Sequence, residues 1–112
     1  MAEPQNLGKT STGLDPKVAA LLAYLVGVVS GLIFFLIEKE NKYVRFHALQ
    51  SVLTFVGLFI VNMVLAFIPV VNIALPILSL AELALWIVLM VKGYQGEKFK
   101  LPVVGDLAEK NA

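Results

Sequence analysis

The chain has 112 residues, 59% hydrophobic and 15% charged, where a soluble domain has about 45–50% and about 25%. So small a domain cannot hide that much apolar surface from water, which excludes an ordinary soluble globule and leaves lipid as the solvent. A net charge of +1 gives no field for nucleic acid, and the lack of cysteine removes disulfides, thiolate metal sites and cysteine nucleophiles.

Residues 1–16 are polar and contain Gly, Pro, Ser and Thr, which predicts a flexible N-terminal tail. They carry no basic n-region, and no small-residue cleavage site follows the first apolar run, so a cleaved signal peptide is not expected. Residues 18–37, "VAALLAYLVGVVSGLIFFLI", hold no charge. At 1.5 Å per residue they reach about 30 Å, one bilayer core, and predict a first transmembrane helix. Asp15 suits its N-cap and Pro16 its first position. Ala19, Ala23, Gly27 and Gly31 recur at spacing four, a small-residue packing face against another helix of the chain or a second copy.

A charged stretch follows, "EKENKYVRFHALQS" over 38–51. The next apolar run is about twice the length of one span, and "FIPVVNIALP" interrupts it. Pro69 breaks the helical ladder and Asn72 with Pro76 suits a turn and restart, which predicts a helical hairpin with spans at about 41–67 and 73–92. Two re-entrant half-spans over this stretch are the alternative. Gly93 ends the last helix, with Lys92 in its final turn. The expected fold is therefore all-α: one integral membrane domain over 17–110, a three-helix bundle made of one span plus a helical hairpin. A short cytoplasmic C-terminal segment completes it.

Three spans put the N-terminus and the hairpin turn on one side, with Lys9 and Lys17. The 38–51 loop and the C-terminus share the other side with the remaining seven Lys and Arg residues. The positive-inside rule makes the second side cytoplasmic and the N-terminus external, in a multi-pass protein of the cell membrane. Trp86, Tyr94, Tyr43 and Phe46 then read as anchors near the cytoplasmic edge.

Polar residues inside the spans mark the inner faces. On the second helix His47, Gln50, Ser51, Thr54 and Asn62 form one stripe. Glu82 lies mid-run in "ILSLAELALWIVLM", where an unpaired charge costs about 3 kcal/mol or more. Its depth matches that of Asn62, so a hydrogen-bonded pair is expected; a proton or cation relay through Glu82, Asn62 and Thr54 is the functional alternative. A lone His47 is poor evidence for a metal. No cofactor motif and no activated nucleophile or carboxylate pair is found, so neither enzyme activity nor a cofactor is expected.

"GLIFFLIEKENKYVRFHALQS" (31–51) and "WIVLMVKGYQGEKFKLPVVGDLAEK" (86–110) resemble a family of small bacterial and archaeal membrane proteins of unknown function, grouped with the Tic-twenty-like import component of the chloroplast inner envelope. The resemblance covers roughly residues 14–110. It implies a membrane protein without an assigned reaction, and its motifs include Arg45, Phe46, His47, Gln50, Tyr94, Gly96, Lys100, Leu101, Pro102, Gly105 and Asp106. The tail "GEKFKLPVVGD" is expected to fold back on "KYVRFHALQ", with Asp106 or Glu97 near Arg45. The expected role is a structural or interaction protein, a scaffold or accessory subunit. Its partners are the lipid bilayer and a second copy or a larger membrane protein, with no nucleic acid. A transporter, channel or protein-translocation component is the competing role.

Overall fold

A computed structural model of the chain describes residues 7–112. Five α-helices run in order: α1 (Pro16–Leu25), α2 (Val28–Ile37), α3 (Lys42–Ala66), α4 (Leu75–Tyr94) and α5 (Val104–Asn111), with a 3₁₀ turn at Val71–Ala74. At 25 and 20 residues, α3 and α4 are about 37 and 30 Å long, and both are apolar enough to cross a membrane. They are the two arms of the hairpin read from the sequence. The helix ends at Ala66, before Pro69, and the 3₁₀ turn leads directly into α4.

The first apolar segment is not one helix. It breaks at Val26–Gly27 into two helices of ten residues each. Gly27 has φ 63°, a conformation open to glycine and strained for other residues. The turn reverses the chain. Asn41 Nδ2 donates to the carbonyls of Leu7 and Lys9 at 2.7 and 3.1 Å, and the Ser11 amide reaches the Glu38 carboxylate at 2.8 Å. The residues before α1 and after α2 are thus neighbours, and α1–α2 is a half-depth hairpin of about 15 Å per arm that enters and leaves at one end. This corrects three expectations. The 18–37 span is a re-entrant pair, the N-terminal segment lies on the same side as the 38–51 loop, and residues 7–15 of the expected tail are docked. Residues 1–6 of that tail lie outside the described residues.

All nine Lys and Arg residues therefore stand at one end of the molecule. The core is at that end too. α1 packs between α3 and α4, and α2 lies along the outer flank of α3. Ala19, Ala20, Ala23, Tyr24, Val44, Phe46, Ala48 and Leu89 are fully buried. Beyond the tip of α1–α2 the two long helices and the 3₁₀ turn between them expose Phe59, Ile60, Met63, Ile73, Ile77 and Leu80.

The docking of the N-terminal segment rests on Glu38, which is fully buried. Its carboxylate accepts from the amides of Ser11, Glu40 and Asn41 at 2.8–3.1 Å. Burial alone pushes its pKa up, but these bonds to the charged form outweigh burial and hold it below the ordinary value of 4.5. A depressed carboxylate stabilises the fold above its unfolded pKa and loses that contribution as pH falls through the folded one. In detergent micelles the Ser11 and Asn41 amide resonances are expected to titrate together, with a midpoint below 4.5. A midpoint at or above that value removes this account of the docking.

Candidate functional site

The polar side chains of α3 converge on the charged end of the molecule. His47 is fully buried, with the rings of Tyr24, Tyr43 and Phe46 edge-on at 5.4, 4.6 and 4.9 Å. Its Nε2 lies 2.8 Å from the Glu97 carbonyl, which can only accept, so Nε2 carries the proton. Nδ1 is then the acceptor, 2.6 Å from the Tyr24 hydroxyl. Gln50 donates to that hydroxyl and to the Phe99 carbonyl, both at 2.9 Å, and accepts from the Leu101 amide at 2.9 Å. The Tyr43 hydroxyl lies 2.6 Å from the Gly93 carbonyl and 3.2 Å from that of Glu97. Three side chains of α3 thereby hold the strap 95–103, with Tyr24 of α1 bracing His47 and Gln50 behind them; the strap has no regular secondary structure to satisfy its own backbone.

The strap leads into α5, which packs on α3. Val103 has φ 66°, and the Val104 amide returns to the Pro102 carbonyl at 2.7 Å, a tight γ-turn. Gly105 fits against Lys100, where a Cβ would come within 2.6 Å of the Lys100 Cα. The Lys100 ammonium lies 3.0 Å from Glu109 and 3.5 Å from Asp106. Bonding to Glu109 first, and the Asp106 charge after it, raise the Lys100 pKa; Lys100 in turn holds Glu109 below the usual carboxylate range.

Arg45 does not meet Asp106 or Glu97. Those carboxylates pair with Lys100 and Lys92. Arg45 Nη1 donates to the carbonyls of Phe35 and Glu38 at 2.9 and 2.8 Å, its guanidinium lies 4.2 Å from the Phe35 ring centroid, and its Nε reaches the Ala112 carbonyl. It caps the C-terminal end of α2, where free carbonyls favour a cation.

The tip of the re-entrant hairpin needs the same care, because backbone groups in hydrocarbon have no water to bond. Trp86 Nε1 donates to the Tyr24 carbonyl at 2.6 Å and Ser51 Oγ to that of Gly27 at 2.9 Å. Ser30 Oγ donates to the Ala23 carbonyl and accepts from the Val26 amide, both at 2.9 Å. Trp86 is therefore not an anchor at the edge; it lies about 12 Å inward from the end of α4 and closes the tip. Tyr43 and Phe46 are buried, and Tyr94 alone of the four aromatics is exposed.

The small residues separate. Ala19 and Ala23 stay on α1, Gly27 forms the turn, and Gly31 on α2 faces the Ala48 carbonyl and Ser51 of α3. They make two intramolecular contacts rather than one stripe. Sequence spacing missed Ala20 and Gly93, which touch where α1 crosses α4; their only signal is small size. Asn62 Nδ2 donates to both Glu82 oxygens, at 3.0 and 3.1 Å, and joins α3 to α4 beyond the hairpin tip. Thr54 stands apart from that pair, with its hydroxyl buried and unpartnered among the described residues. An open groove of about 380 Å³ between the start of α1 and the end of α4 is lined by Asp15, Lys17, Val18, Tyr94 and Gln95.

A family model described as the magnetosome magnetite crystal formation protein family matches residues 13–108. A UPF0132 membrane protein of Methanocaldococcus jannaschii is 51% identical over 104 residues, covering 93% of this chain and 94% of its own. One from Archaeoglobus fulgidus is 47% identical over 98 residues, covering 87% and 95%. A second from Methanocaldococcus jannaschii is 43% identical over 99 residues, covering 88% and 71%. No solved structure matches the chain.

Proposed function

We propose, from the premise that this chain belongs to the family described as magnetosome magnetite crystal formation proteins, whose archaeal relatives are named UPF0132 membrane proteins, that it is a structural and interaction protein of the membrane. It is a scaffold or accessory subunit, not an enzyme. One observation carries this reading. His47, Gln50 and Tyr43 are committed to holding backbone, and the Tyr24 hydroxyl is taken up by His47 and Gln50. They fix the strap, and Glu38 and Asn41 fix the N-terminal segment, so that residues 7–15, 38–41 and 95–112 form a folded face. With all nine basic residues beside it, the positive-inside rule assigns that face to the cytoplasm of the cell membrane. There it meets a second copy or a larger membrane protein. The mineral chemistry in the family's description is not part of this proposal.

A second reading is a transporter, channel or protein-translocation component centred on Glu82 and the polar stripe of α3. The Glu82 carboxylate within α4 favours it. Glu82→Gln separates the two, since Gln keeps a bonding partner for Asn62 and removes the titratable proton. On the structural reading, vesicles with wild-type protein, with E82Q and with no protein leak protons and sodium at one rate. Stability in detergent changes by less than about 1 kcal/mol. A leak that E82Q alters overturns the structural reading.

A further inference from the structure

The molecule is unequal across the bilayer. Next to the charged end four helices stand side by side, namely α1, α2 and the adjoining parts of α3 and α4. Since α1 and α2 have ten residues each, they reach about half of the hydrocarbon core. In the other half only α3 and α4 continue, joined through Asn62 and Glu82. Each helix with its side chains is about 10 Å across, so the added pair takes area from one leaflet alone. The pair is braced in that leaflet. Ser51 and Trp86 close its tip, and Arg45, Asn41 and Glu38 close its mouth. It also meets acyl chains directly, because Val29, Leu32, Ile33 and Leu36 are 46–60% exposed on α2.

We infer that this protein acts on membrane shape: it is a wedge that gathers in, and favours, bilayer convex on the side of its charged end. A bilayer curved that way has more area in the leaflet holding all four helices, and the wedge fits it with less strain. Because the wide and narrow ends are fixed in the fold, the preference has a sign. It reverses when the protein is inserted the other way round. The inference shares with the proposed function only the insertion of α3 and α4 with the charged end at one surface. It does not require the absence of transport.

The test uses the full chain, fluorescently labelled, in giant phosphatidylcholine vesicles from which a narrow tether is pulled. Protease access to the charged end reports the orientation in each preparation. With the charged end outside, the protein is expected to be enriched in the tether on the order of twofold, since a population follows the difference in free energy between two environments. With the charged end in the lumen it is expected to be depleted. Equal density in tether and vesicle overturns the proposal, and so does sorting of the same sign in both orientations. The E82Q leak assay reads the proposed function separately, so either idea can fail alone.

Discussion

Replacing Gln50 with Leu is expected to cost about 3 kcal/mol of stability in detergent and to open residues 95–112 to protease. Leu fills a similar volume, so no large cavity opens and the loss isolates the polar role. Gln50 is fully buried and makes three bonds, to Tyr24, Phe99 and Leu101. Without them the Leu101 N–H and the Phe99 carbonyl lose their partner, and each unpaired buried group costs about 1–3 kcal/mol. The Tyr24–His47 bond loses its third member as well. Equilibrium unfolding in mixed micelles gives the stability, and limited proteolysis reads the strap. A change below about 1 kcal/mol with the strap still protected would show that apolar packing, not Gln50, holds the segment.

Two glycine-to-alanine changes are expected to move stability in opposite directions. At Gly31 a new Cβ would stand 2.9 Å from the Ala48 carbonyl oxygen and 3.0 Å from the Ser51 Cβ. The first of these is backbone and cannot swing away, so α2 must lift from α3, straining the Ser51 bond that closes the tip. The expected cost is about 2 kcal/mol, typical of overpacking. At Gly57, within α3, nothing lies within 4 Å of the added carbon. There Ala restricts the unfolded chain and is expected to gain about 0.5–1 kcal/mol. Both variants are read by the same micelle titration. If Gly31→Ala matched or exceeded wild type, the close approach of α2 to α3 would not be part of the fold.

Much of the helix layout was legible because it rests on local chemistry. Asp15–Pro16 marks the start of α1, and the Asp15 carboxylate does accept from the Lys17 amide at 2.8 Å. Pro69 and Asn72 mark the turn of the hairpin. Counting helix rise from that turn brings Asn62 level with Glu82. The re-entrant break was hidden for a physical reason. A twenty-residue apolar run has the length of one span, and two half-length helices use the same composition. Hydropathy reports solvent, not direction. What distinguishes the cases is whether backbone groups at the break find partners, and those come from Ser51 and Trp86, far along the chain. One clue was present: Lys9 and Lys17 precede the segment as Lys39 and Lys42 follow it, whereas the turn of the true hairpin has no charge. Basic residues at both ends of an apolar run suit a segment that returns to its own side. The strap contacts were legible only as a fold-back, since the partners of Arg45, Asp106 and Glu97 depend on side-chain reach.

The return of the first segment to its starting side also bears on how the chain is put into a membrane. Among residues 7–112, the part that must pass through hydrocarbon to the far surface is the uncharged turn around Pro69–Asn72, and Glu82 is the sole Asp, Glu, Lys or Arg carried deep. No lysine or arginine has to be dragged across. Biogenesis then reduces to pushing one greasy loop through the bilayer and tucking a second halfway in, a task with no large barrier from moving charge.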